Sequence, residues 1–149
     1  MGGRGSSSGA KGGGVRTRTI GGLTLTQNQK FTQIFHTRES TVIQAERTGE
    51  MFSHSGFEFG VVTRDNGNID VIELKSGANI GTTGKRSDIP QFVDKFQQDM
   101  KSKKFQRIYK RGVLLNEAIG KHGGKVSRDE YSRLWDEIDS SLKPKRKTK

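Results

Sequence analysis

The stretch GFEFGVVTRDNGNIDVIELKSG, residues 56–77, decides how the middle of this chain folds. Two runs rich in valine, isoleucine and phenylalanine flank Asn66-Gly67, a dipeptide suited to a two-residue type I′ turn because both residues tolerate positive φ. Such a turn pairs Asp65 with Asn68, and so sets Val61 opposite Ile72, Phe59 opposite Leu74 and Glu58 opposite Lys75. Side chains alternate along a strand, so one face of the predicted hairpin carries Phe57, Phe59, Val61, Thr63, Asp70, Ile72 and Leu74. The other carries Glu58, Gly60, Val62, Ile69, Val71, Glu73 and Lys75, with its charges gathered at the end away from the turn.

Upstream, Phe31, Ile34, Phe35, Val42 and Ile43 recur at spacings of three, four, seven and eight, which predicts one helix, or two short ones broken near His36–Glu39, with Gly49 as a stop. Downstream, a helix is expected from about Pro90, capped by Ser87 or Asp88, with Phe92, Val93, Phe96 and Met100 as its buried stripe. A further helix is expected around Phe105, Ile108, Tyr109, Leu115 and Ile119, weakened at Gly112 and ended near Gly120. The last has the clearest punctuation: Ser127–Glu130 is a capping box, and Tyr131, Leu134, Trp135, Ile138 and Leu142 follow on one face.

The charged end of the hairpin raises a chemical question. Two carboxylates on adjacent strands with a lysine beside them suit a hard divalent cation and a water at a scissile phosphate. Over residues 39–105 the arrangement resembles the PD-(D/E)XK nucleases. That resemblance implies Glu58 and Glu73 as Mg²⁺ ligands and Lys75 as the catalytic lysine, with Glu39 or Glu46 as a further acid. The proline-aspartate element of that family is absent. The same three residues also read as a surface ion pair, Glu58 with Lys75 and Glu73 diagonal to both, worth about 0.2–1 kcal/mol. No cofactor is expected on the second reading; Mg²⁺ belongs only to the first.

Charge points to the partner. Lys and Arg number 27 against 16 acidic residues in a chain of 149, a formal charge of +11, so the natural ligand is an anion. Within KSKKFQRIYKR, Lys101, Lys103, Lys104, Arg107, Lys110 and Arg111 have no acidic neighbour in sequence and are the candidate phosphate contacts. Phe105, Ile108 and Tyr109 among them have the spacing of core positions, although an aromatic exposed there can stack on an unpaired base. The C-terminal KPKRKTK extends the footprint through Lys143, Lys145, Arg146 and Lys147.

Several classes fall away. There is no cysteine, hence no disulfide framework, thiol nucleophile or thiolate metal site. No run reaches the roughly 18–20 apolar residues that cross a bilayer, and no apolar leader is present, so a membrane partner is not expected and a reducing cytoplasm is. Gly77–Asp88 lacks the glycine spacing of a phosphate-binding Walker loop, and His36, His54 and His122 share no ligand spacing.

The glycine- and serine-rich MGGRGSSSGAKGGG, residues 1–14, resembles the leaders of small bacteriophage and mobile-element proteins. The basic body is similar in style to phage anti-defence proteins, anti-CRISPR inhibitors among them, which implies action in a host cytoplasm. The expectation is an α+β domain of residues 20–142, in which an antiparallel hairpin or a small three-stranded sheet packs against three to five helices. A disordered arm, 1–19, and a basic tail, 143–149, flank it. The expected function is non-enzymatic binding of nucleic acid or a nucleoprotein complex, with inhibition of a host nucleic-acid-guided nuclease as one version. The alternatives are a metal-dependent nuclease and a phage virion or assembly protein.

Overall fold

The computed structural model describes residues 16–143. Helices and an antiparallel sheet are both present, but the expected hairpin or three-stranded sheet is overturned: among the described residues the sheet has seven strands. They are β1 (Thr17–Ile20), β2 (Leu23–His36), β3 (Thr41–His54), β4 (Phe57–Thr63), β5 (Ile69–Glu73), β6 (Ala78–Thr83) and β7 (Lys125–Ser127). The first six form a meander in sequence order, and β7 pairs with the start of β3. A single 3₁₀ turn, Arg86–Asp88, leads into α1 (Ile89–Asp99), followed by α2 (Lys103–Lys121) and α3 (Arg128–Leu142). Strand β1 begins inside the stretch read as an arm; residues 1–15 and 144–149 lie outside the described residues.

The expected helices between residues 25 and 49 are instead the two longest strands. The physical reason is a β-bulge in β2, where the register against β3 shifts between Thr26 and Gln29 and Asn28 takes a left-handed φ of 58°. A bulge inverts the phase of alternation. Leu23 and Leu25 therefore face one side of the sheet, while Phe31, also at an odd position, faces the other. Both faces carry apolar side chains, so these appear at consecutive positions such as Ile34-Phe35 and Val42-Ile43, although Phe35 itself is exposed, and the resulting spacings imitate a helix.

The central hairpin exists with a register one residue away from expectation. Phe59 pairs with Glu73, Gly60 with Ile72, Val61 with Val71 and Thr63 with Ile69. The loop is Asp65-Asn66-Gly67: Gly67 N–H donates to Arg64 O at 2.9 Å and Arg64 N–H to Asn68 O at 2.7 Å. Of the pair, only Gly67 has a positive φ, 90°, so the turn is a type I turn closed by a left-handed glycine, the three-residue hairpin geometry. The type I′ geometry expected at Asn66-Gly67 occurs instead between β3 and β4, where Ser55 and Gly56 have φ of 51° and 86°.

A one-residue shift exchanges the faces of β5 against β4. Phe59, Val61, Val71 and Glu73 lie toward the helices; Gly60, Val62, Asp70 and Ile72 lie on the far side. The helix-facing layer joins Leu25, Phe52, Phe59, Val61 and Val71 to Ile89, Val93 and Phe96 of α1, and Val42 and Val126 to Leu115 and Ile119 of α2 and Leu134 of α3. Among the described residues no helix covers the far side, yet Phe31, Val62 and Ile72 are buried there. The sheet curls to enclose them, bringing β2 back to the start of β6, where Ile34 N–H donates to Gly77 O at 2.9 Å. The result is a half-barrel with three helices on its outer face.

Candidate nucleic-acid interface

The register separates the residues of the nuclease-like reading. Glu58 is exposed on β4, whereas Glu73 is fully buried on β5, its side chain on the opposite face. Lys75 is exposed in the turn after β5, and its backbone N–H donates to Glu73 Oε2 at 3.3 Å. The Glu73 carboxylate also accepts Ser76 N–H at 2.8 Å, Ser76 Oγ at 2.7 Å and the Tyr109 hydroxyl at 3.0 Å. These donors satisfy a buried charge and tie β5 to α2. Burial and the adjacent carboxylate raise the Tyr109 phenol above its usual range, so it remains a donor. Among the described residues no three His, Cys, Asp or Glu side chains come together in a way that would hold a metal ion.

The basic block folds as the N-terminal half of α2. Ser102 caps it, its Oγ accepting Phe105 N–H at 3.0 Å. The first turn holds no acid and instead carries Lys103 and Lys104, against the preference of a helix N-terminus for negative charge. The helix runs unbroken through Gly112, where an added Cβ would sit 3.3 Å from Ser76 Cβ, so that glycine serves a close approach to the sheet. Phe105 and Tyr109 pack against Phe96 of α1 at ring separations of 5.8 and 5.7 Å, as their spacing implied. Ile108 does not follow them: it is 40% exposed.

Helix α3 returns beside α2, and the two meet in polar and aromatic contacts. Arg107 donates to both oxygens of Asp139 at 3.0 Å, and Arg111 donates to Oδ1 at 3.0 Å. The Arg111 guanidinium also lies 4.1 Å from the centre of the Trp135 ring, a cation–π contact. Burial pushes the Asp139 carboxyl up, but hydrogen bonds from Arg111 and Arg107 and the charges of both outweigh it and hold the carboxyl below the ordinary carboxylate range. Lys101, Lys103, Lys104 and Lys110 are exposed.

Two depressions meet at this contact. One, of about 580 Å³, is lined by Lys103, Lys104, Arg107, Ile108, Arg111, Trp135 and Leu142. The other, of about 400 Å³, lies between α1, α2, α3 and β6, and Phe92, Phe105, Tyr131 and Trp135 are among its walls. Ile108, Arg111 and Trp135 line both. Leu142, next in sequence to exposed Lys143, is among the groove residues; Lys145, Arg146 and Lys147 lie outside the described residues. No protein-family model, curated protein or solved structure matches the chain.

Sequence reasoning named the cations but missed Asp139 and the aromatic depression. The signal was present: Arg107 and Arg111 are four apart, as are Trp135 and Asp139, and the short connection from Lys121 to Ser127 favours antiparallel packing of the helices carrying them.

Proposed function

We propose that this protein binds nucleic acid, holding backbone phosphates along the cationic side of α2. One observation carries the reading: Lys103, Lys104, Arg107 and Arg111 line a single groove with Ile108 and Trp135. Lysines in the first turn of α2 cost helix stability, and a bound phosphate would offset that cost by meeting the same lysines together with the helix N-terminus. The sequence-wide excess of cations supplies attraction at longer range.

The test is a titration of labelled oligonucleotides by fluorescence anisotropy across salt concentrations. It compares the wild-type chain with a variant carrying Lys101→Gln, Lys103→Gln, Lys104→Gln and Lys110→Gln. All four side chains are exposed, so folding should persist. The wild type should show a linear fall of log affinity with log salt, and the variant should lose roughly 0.7–0.9 of slope for each phosphate contact removed. Equal affinity and equal slope in the two proteins would refute the reading. If the wild type binds no oligonucleotide at any salt, the cationic side serves an acidic protein surface.

A further inference from the structure

We propose that the depression between α1, α2, α3 and β6 receives an unpaired base of a single-stranded nucleic acid whose phosphates run along the neighbouring cationic groove. The inference rests on the nucleic-acid reading above and narrows it to single strands.

Three features of the depression lead there. Its volume of about 400 Å³ falls within the roughly 300–1,000 Å³ of ordinary ligand pockets. Its walls combine Phe92, Phe105, Tyr131 and Trp135, and aromatic faces stack on any base because every base has a π-face. It is also continuous with the groove of Lys103, Lys104 and Arg107 through the shared residues Ile108, Arg111 and Trp135, so an apolar wall and a phosphate-binding wall stand side by side.

A paired base cannot enter such a depression without leaving its stack, whereas a single strand offers its bases freely. The cations favour a strand over a free nucleotide. From Lys103 to Lys110 the helix advances about 10 Å at 1.5 Å per residue, several times the roughly 3.4 Å per phosphate along one strand of a duplex. Several polar groups at the walls are already engaged: Lys95 pairs with Asp99 at 3.2 Å, Asn79 Nδ2 donates to Asp70 Oδ1 at 3.1 Å, and Arg111 donates to Asp139. Few donors or acceptors remain to read a base edge, so recognition should depend on stacking and tolerate all four bases.

The protein contains one tryptophan, and it lines both depressions, so tryptophan emission reports on this pair of depressions, and the comparison of single strand with duplex separates one from the other. The full chain is titrated with short single-stranded DNA and RNA homopolymers, with a duplex of equal length and with a mononucleotide, following Trp135 emission and the anisotropy of labelled strands. Single strands of either sugar should quench Trp135 and bind more tightly than the duplex, by roughly 5- to 150-fold for one stacked base. Phe92→Leu, which alters the depression and not the cationic groove, should reduce that preference and the quenching while leaving duplex binding unchanged. Binding of single strands and duplex with equal affinity and no change in emission overturns the proposal and leaves the proposed function standing. Quenching by the mononucleotide with none from the strands also overturns it, because the occupant is then a free nucleotide. If no oligonucleotide binds, both readings fall.

Discussion

The Tyr109 hydroxyl on α2 donates a 3.0 Å hydrogen bond to the buried carboxylate of Glu73 on β5. A charge without solvent is held here by four donors, Lys75 N–H, Ser76 N–H and Ser76 Oγ in the turn after β5 and the Tyr109 hydroxyl on α2, so the contact fixes how α2 lies on the sheet. Removing one donor leaves the others insufficient for a buried carboxylate. Tyr109→Phe should therefore cost about 1–3 kcal/mol in urea unfolding, and the cost should shrink when Glu73→Gln is already present. Additive losses in the double variant would show that the two groups do not act together.

Stability should fall at both ends of the pH scale for identifiable reasons. The Tyr109 phenol is raised in the folded chain, so the unfolded chain releases that proton more readily. The contribution is complete below the ordinary tyrosine value of about 10 and is lost as pH rises beyond it. On the acid side, burial pushes Asp70 up, but the Arg64 hydrogen bonds and charge, with Thr82 and Asn79, bring it below its usual value. Its stabilisation is full above the unfolded value of about 3.9 and disappears as pH falls through the folded one. Thermal melts across pH should show the alkaline decline reduced in Tyr109→Phe and the acid decline reduced in Asp70→Asn.

The tight curl of the sheet predicts a sharp contrast between two glycines. A Cβ on Gly49 would land on the carbonyl oxygen of Val61 in the adjacent strand, whereas a Cβ on Gly60 would meet the Phe31 ring at 2.5 Å. Backbone cannot yield without breaking strand pairing, but a ring can turn. Gly49→Ala should cost about 3 kcal/mol or more and Gly60→Ala about 1–3 kcal/mol, as overpacking of a filled interior does. Chemical denaturation of the two variants checks the order; equal losses would mean that the strand edge at Gly49 is free to shift.

The parts of this fold that local chemistry determines could be read in advance. Ser127 Oγ accepts Glu130 N–H at 3.0 Å as the cap of α3, Pro90 stands in the first turn of α1, and of the expected stripes Val93 and Phe96 of α1 and Leu134 of α3 are buried, with Phe92, Met100, Tyr131, Trp135 and Ile138 partly so. What failed depended on relationships beyond a few residues. The bulge at Gln27 and Asn28 has no strong sequence marker, yet it determines which face Phe31 occupies. Asn66-Gly67 permits two loops that differ by one residue, and tertiary burial of Val62 and Ile72 inside the curl selects the second. That choice sends Glu73 into the helix-facing layer and Glu58 to the surface. The cations of α2 were legible because charge without local compensation is a property of the sequence itself. Their partner Asp139 is 28 residues beyond Arg111, and only the packing of α3 on α2 reveals it.

Asp139 gives the proposed interface a test in the direction of gain. Its carboxylate binds Arg107 and Arg111 together, so part of the cationic groove is neutralised by the protein itself. Asp139→Asn keeps the size and a hydrogen-bond acceptor while removing the charge that competes with a phosphate. Both guanidiniums then become available to a ligand, and the salt dependence of oligonucleotide binding should steepen by up to about two units, close to one per new phosphate contact. The same change loosens the contact between α2 and α3, so the melting temperature should fall as affinity rises. The two effects separate the proposed role from a purely structural one. If Asp139 serves only to join the helices, Asp139→Asn lowers stability and leaves the salt slope where it was. If the groove meets phosphates, the less stable protein is the tighter binder.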